Sequence, residues 1–198
     1  MTDSPTTHPS LLVRLRDSRD AAAWELFVEL YAPPVYGFAR RHGLQDADAA
    51  DLTQDVLRSV SRAFGRGGFD PQLGSFRGWL FTVVRNRLRD IMDGRRRHPQ
   101  GSGDTAALER MASVQAPGGD PATLWDQECE RQLFDWAAEQ VRGRFAAATW
   151  QAFWRTAVEG ESGKDVAAAL SMSVAAVYLA KGRVMAAIKE QVRSVNDE

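Results

Sequence analysis

Apolar residues recur along this chain at helical spacing, and the clearest runs predict helices separated by turn-forming residues. Asp20 is a good N-cap, and the Trp24, Phe27, Val28 and Tyr31 pattern behind it predicts a long helix. Pro33 and Pro34 are expected to interrupt that helix, with a second piece running through Val35 and Phe38 to Gly43. A third helix is expected to start with Asp46 as its cap and to reach about Phe64. Its inner face is Leu52, Val56, Val60 and Phe64 at four-residue steps, with Ala49 and Ala63 alongside. The glycine-rich stretch GRGGFDPQLGS over 65–75 predicts a loop. Ser75 then caps a fourth helix that buries Phe76, Trp79, Leu80, Val83, Leu88 and Ile91 and ends in an arginine cluster. No run of period two argues for a strand, so the expected class is all-α.

From His98 to Asp120 the chain is rich in glycine, serine, alanine and proline and has no sustained period, which predicts a linker with at most a helical turn near Ala106 to Met111. Asp120 followed by Pro121 is an N-cap and first-turn pair that restarts helix. The expected organisation is an N-terminal domain at 1–97, a linker at 98–120 and a C-terminal domain at 121–198.

The most informative pattern lies in the last third. Val166, Ala167 and Leu170 form one apolar face, and Val177, Ala180, Val184 and Ile188 form a second at steps of 3, 4 and 4 residues. Ser171 and Ser173 fall between them, and Ser173 suits the N-cap of the second helix. Two short helices joined by a tight turn predict a helix-turn-helix. Its second helix keeps Ala175, Ala176, Tyr178, Lys181 and Arg183 off the apolar stripe, and small residues near the N-terminus allow close approach to a duplex groove. An αα-hairpin of an ordinary bundle would show the same apolar faces. Trp150, Phe153, Trp154 and Val158 are expected to supply the hydrophobic platform beneath the hairpin.

Composition narrows the function classes. The 198 residues are 44% hydrophobic, ordinary for a folded domain, and Cys129 is the single cysteine. No disulfide within the chain and no cysteine cage for zinc is therefore possible. The first residues lack the pattern of a secretion signal, and no apolar run approaches the ~20 residues of a membrane span, so a reducing cytoplasm is the expected location. The three histidines, 8, 42 and 98, show no ligand spacing, and there is no phosphate-binding glycine loop or nucleophile elbow. No cofactor, metal or enzymatic activity is expected. The net charge is −1, yet seven arginines stand between 77 and 97 against Asp90 and Asp93, while the segment 99–140 carries eight acids against Arg110 and Arg131. A basic helix followed by an acidic connector suggests a face for phosphates, although a solvated helix end enriched in cations would look alike.

Two blocks together carry a family resemblance. The segments DAADLTQDVLRSV and SFRGWLFTVVRNRLRDIMDGRRR are similar to the core-polymerase-binding and promoter-melting helices of bacterial sigma factors of the extracytoplasmic-function (ECF) group. The segment from Thr149 to Ile188 resembles that family's C-terminal promoter-reading domain. One departure is Ser171, where many members carry glycine in the turn. The resemblance implies a subunit that binds core RNA polymerase and directs initiation at two separated promoter elements, and it leaves room for an anti-sigma protein as a further partner. A conventional helix-turn-helix regulator stays open, because its C-terminal domain would look the same.

Candidate residues follow. Asp51, Asp55, Arg58 and Arg62 make an exposed charged stripe with Gln54 beside it. A solvated face with internal ion pairs would have this form, and the resemblance makes Asp51, Gln54, Asp55 and Arg58 the polymerase-binding set. Arg77, Arg85 and Arg89 are placed to follow phosphates, Asn86 to bond a base edge, and Phe69, if exposed, to stack on an unpaired base; the resemblance puts the minus-ten element here. Ser173, Ala175, Tyr178, Lys181 and Arg183 are the duplex-facing candidates, reading the minus-thirty-five element by resemblance.

Overall fold

The computed structural model describes residues 9–67, 69, 70, 72, 74–97 and 120–196, and among these the regular elements are eight helices and no strand. They are α1 (Pro9–Arg14), α2 (Ala21–Arg41), α3 (Asp46–Phe64), α4 (Phe76–Arg97), α5 (Pro121–Arg142), α6 (Ala147–Ala157), α7 (Gly163–Ala169) and α8 (Val174–Asn196). The expected all-α class holds. Most of the expected linker, including the turn near Ala106 to Met111, lies outside the described residues. The chain forms two compact units, Met1–Gln132 and Leu133–Glu198, which part within α5 and not at Asp120.

The core of the first unit is aromatic and centres on Phe76, the first residue of α4. Its ring meets Tyr31 at 5.4 Å, Phe69 at 5.4 Å, Phe27 at 6.0 Å and Phe64 at 6.0 Å, mostly edge to face, the arrangement that ring quadrupoles favour. On α3 the expected inner face of Leu52, Val56, Val60 and Phe64 is buried throughout. On α4 the buried stripe is Phe76, Leu80, Val84 and Leu88, while Trp79, Val83 and Ile91 are only partly covered. Val84, not Val83, is the core valine because it continues the four-residue steps from Phe76 and Leu80.

Helix starts agree with the sequence at Asp20, whose carboxylate accepts from the Ala23 N–H at 3.0 Å, and at Ser75, whose Oγ accepts from Gly78 at 3.1 Å. Two expectations fail. The residue ahead of α3 is Gln45, which makes no side-chain cap; Asp46 sits inside the first turn and accepts a bond from the Tyr36 hydroxyl, which pushes that phenol's pKa up. And α2 runs through Pro33 and Pro34 without a break. Pro33 has no N–H for the Glu29 carbonyl four residues back, and Gln132 Nε2 supplies the missing donor at 3.1 Å.

That bond is one of several made by the first three turns of α5 onto the first unit. Trp125, 1% exposed, stands edge-on to Phe38 and donates from Nε1 to the Arg77 carbonyl at 3.2 Å. Glu128 is buried and takes hydrogen bonds from both Arg41 and Arg131. Cys129 beside it is buried as well, and burial pushes its thiol up to about 12, so it stays protonated and inert at neutral pH.

In the second unit, α7 and α8 meet at 103° across residues 170–173, within the range shared by αα-hairpins and helix-turn-helix motifs. Val166 and Ala167 of α7, Val177 and Ala180 of α8 and Ala152 of α6 form one buried cluster, closed by Leu170 and Met172. Val184 and Ile188 extend the buried stripe of α8 as expected. Phe153 is fully buried in the platform, but Val158 is 45% exposed and lies outside it.

Candidate nucleic-acid interface

On α3 the charged stripe is outward, opposite Leu52, Val56 and Val60. Asp51, Gln54, Arg58 and Arg62 are exposed and Asp55 is half-buried. Arg58 donates to Asp55 at 2.7 Å, so these two largely satisfy each other, leaving Asp51 and Gln54 to give the face its acceptor character.

The 65–75 loop and the start of α4 form a cleft of about 480 Å³ lined by Gly67, Phe69, Asp70, Gly74, Ser75, Gly78, Trp79 and Thr82. Gly67 and Gly74 hold positive φ of 76° and 139°, a conformation that glycine adopts without strain. From Thr82 at the edge of the cleft, Asn86 and Arg89 extend along α4 at steps of 4 and 3 the exposed stripe begun by Ser75 and Gly78. Arg85 is exposed beside them with its guanidinium 6.0 Å from the Phe81 ring, which steadies the stem.

Two expected contacts do not survive this geometry. Phe69 is only 8% exposed, its ring 5.4 Å from Phe76 and 5.9 Å from Trp79, so it forms the wall of the cleft and cannot lie free for a base. Arg77 is 6% exposed and points inward under α5, with Nε and Nη1 buried without a hydrogen-bond partner, so it cannot track phosphates. The spacing of the arginines gave no warning, because Arg77 follows the core residue Phe76 and shares its inward turn.

In the second unit Ser173, Ala175, Tyr178 and Arg183 are exposed. Ser173 Oγ accepts from the Ala176 N–H at 3.1 Å, the cap read from the sequence, so it serves α8 itself. Lys181 is half-buried and its Nζ reaches the Thr156 carbonyl at 3.4 Å, near the C-terminus of α6, so it is committed to the fold and is not an outward cation. Val174 and Leu179, which sequence reasoning passed over, are 39% and 61% exposed on the outward side of α8. Tyr178, 57% exposed, packs the hydroxyl end of its ring against Gly163. The turn between the helices contains Ser171 at φ 54°, the one positive-φ residue other than glycine among those described. A separate cleft of about 690 Å³ between α5 and α6 is lined by the stacked Trp150 and Trp154 with Asp135, Glu139 and Arg155. The sequence signal for it was the tryptophan pair, read as core.

Among the described residues no group of three or more histidine, cysteine, aspartate or glutamate side chains is placed to hold a metal ion, and no single helix is long and apolar enough to cross a membrane.

Residues 27–98 match the family model for sigma-70 region 2. The chain is 36% identical over 92 residues to the ECF RNA polymerase sigma factor RpoE of Cereibacter sphaeroides, a match spanning 46% of this chain and 50% of that protein. It is 30% identical over 128 residues to the ECF sigma factor SigK of Mycolicibacterium vanbaalenii, over 64% of this chain and 62% of SigK. The chain is thus similar to ECF sigma factors, while it spans about half the length of the first of these relatives. The RNA polymerase sigma factor CnrH of Cupriavidus metallidurans is 28% identical over 152 residues, 75% of each chain. A solved structure of CnrH in complex with the cytosolic domain of CnrY matches 96% of this chain and 97% of its own at 23% identity, with a TM-score of 0.38. Region 2 takes in most of α2 and all of α3 and α4, and so contains the α3 stripe, the loop cleft and the Asn86 stripe.

Proposed function

We propose that this chain acts as an ECF sigma factor that binds core RNA polymerase and directs promoter-specific initiation, with α3 docking on polymerase, the cleft and α4 holding the opened minus-ten strand, and α8 entering the groove of the minus-thirty-five element. The observation that carries the reading is the coincidence, inside the region 2 match, of a loop cleft with the exposed stripe of Thr82, Asn86 and Arg89 leading away from it. A base that leaves the stack needs a pocket and the strand on either side of it needs polar and cationic contacts, and these lie on one face here. Asp51 and Gln54 give α3 the acceptors that a basic helical surface would meet. The 103° crossing and the outward first turns of α8 support a groove-entering role, because in that geometry the N-terminal part of the second helix contacts base edges. The similarity to ECF sigma factors supports an anti-sigma protein as a further partner.

Transcription reconstituted from core polymerase, this chain and a promoter library tests the reading. Start-site-selective transcripts are expected, and Asp51→Arg should remove them together with polymerase association while helix content stays unchanged. Absence of selective transcripts, under conditions where a related factor succeeds, would overturn it.

A further inference from the structure

We propose, resting on the reading of α8 as a groove-entering helix, that Val174, Ala175, Tyr178 and Leu179 select duplexes by contact with thymine 5-methyl groups. Apart from the Tyr178 hydroxyl, which lies toward Gly163, the exposed side chains on the first two turns of α8 carry no hydrogen-bonding group. Val174, Ala175, Tyr178 and Leu179 are exposed there. Ser173 Oγ is spent on the Ala176 N–H and Lys181 Nζ is turned to the Thr156 carbonyl. The first outward cation is Arg183, more than two turns in, and Gly182 before it offers no side chain.

Base edges in the major groove are donors and acceptors with one apolar feature, the methyl group on C5 of thymine. The side chains of Val174, Ala175 and Leu179 gain nothing from guanine or cytosine edges and strip them of water, whereas against thymine methyls they bury apolar surface on both sides, and the Tyr178 hydroxyl lies toward Gly163. The face is held ready for this. Tyr178 packs against Gly163, so close that a Cβ at Gly163 would come within 2.9 Å of the ring, and Val174 has a β-branched side chain with few rotamers. Arg183 remains for a phosphate or a guanine at the margin of the site. The same exposed patch on a protein with no nucleic-acid role would mark a protein interface.

The full chain, with core polymerase, is used to select from a random duplex library, and each thymine in the double-stranded upstream part of the enriched sequences is then replaced by deoxyuridine, which lacks only the methyl. Two or more positions should each lose about three- to fourfold in affinity, the effect of one buried methyl. Leu179→Ala and Tyr178→Ala should each abolish the difference between thymine and deoxyuridine at one position while helix content is kept. Enriched sequences that bind equally well with deoxyuridine throughout, or whose selection is lost with Arg183→Ala alone, would overturn the inference and leave the groove reading intact. If no upstream sequence is enriched at all, the groove reading itself falls and the inference with it.

Discussion

The ring of Tyr178 rests on the backbone of Gly163, so that a methyl group at Gly163 would meet Tyr178 Cζ and Oη at 2.9 Å. Gly163 opens α7, Tyr178 is in the second turn of α8, and the contact ties the outward aromatic of one helix to the start of the other. Gly163 is itself buried, but the ring it meets is 57% exposed and can swing away, so Gly163→Ala should leave the second unit folded and should displace the ring. Promoter binding should fall in Gly163→Ala by about as much as in Tyr178→Ala, and the double variant should be no worse than either single one. Additive losses would show that the glycine acts on something other than the tyrosine.

Ser171 occupies a left-handed conformation in the four-residue turn between α7 and α8, where the cost for a residue with a Cβ is about 1–2 kcal/mol. Glycine removes that strain and gives back part of it as unfolded-chain entropy. Ser171→Gly should therefore stabilise the second unit by about 0.5–1 kcal/mol in denaturant unfolding, and Ser171→Val should destabilise it by at least as much. A Ser171→Gly variant less stable than the parent would mean that the hydroxyl makes a contact worth more than the strain.

The elements most legible in the sequence were those whose reason is local. The α3 face and the two hairpin faces follow from apolar spacing alone, and the caps Asp20, Ser75 and Ser173 bond within three residues of themselves. What was not legible depends on partners far along the chain. Pro33 and Pro34 read as a break because the donor that rescues the Glu29 carbonyl is Gln132, 103 residues away. Glu128 read as part of an acidic connector, yet it is buried between two arginines, one of them on α2. At the candidate site the polar stripe of α4 was visible from spacing, whereas the cleft depends on how a glycine-rich loop folds, and the inward turns of Phe69 and Arg77 depend on the ring cluster around Phe76.

Phe69 and Asn86, both proposed from the sequence to touch opened DNA, should separate cleanly in experiment. Phe69 is a wall of the cleft packed on Phe76 and Trp79, so Phe69→Ala should cost about 3 kcal/mol of stability in the first unit, the usual loss for a buried phenylalanine, and weaken every activity together. Asn86 is exposed, so Asn86→Ala should leave the unfolding midpoint unchanged and lower affinity for a promoter with a preformed bubble more than for intact duplex. Equal loss on both templates for Asn86→Ala would remove it from the opened-strand site.

Acid should loosen the second unit through a single fork. Arg155 donates from Nε and Nη2 to the two oxygens of Glu161 at 2.7 and 2.6 Å, joining the C-terminal turn of α6 to the residue that precedes the Ser162 cap of α7. The hydrogen bonds from Arg155 hold the Glu161 carboxyl below its ordinary value of 4.5. A carboxyl with a lowered folded pKa binds its proton more weakly in the folded chain than in the unfolded one. Its contribution is therefore complete above the ordinary glutamate range and fades as the pH falls through the lowered value. Glu161→Gln should be less stable than the parent at pH 7, and the gap should close as both are titrated toward pH 3, followed by denaturant unfolding at each pH. A gap that stays constant down to pH 3 would show that packing of the side chain, and not its charge, holds the α6 to α7 connection.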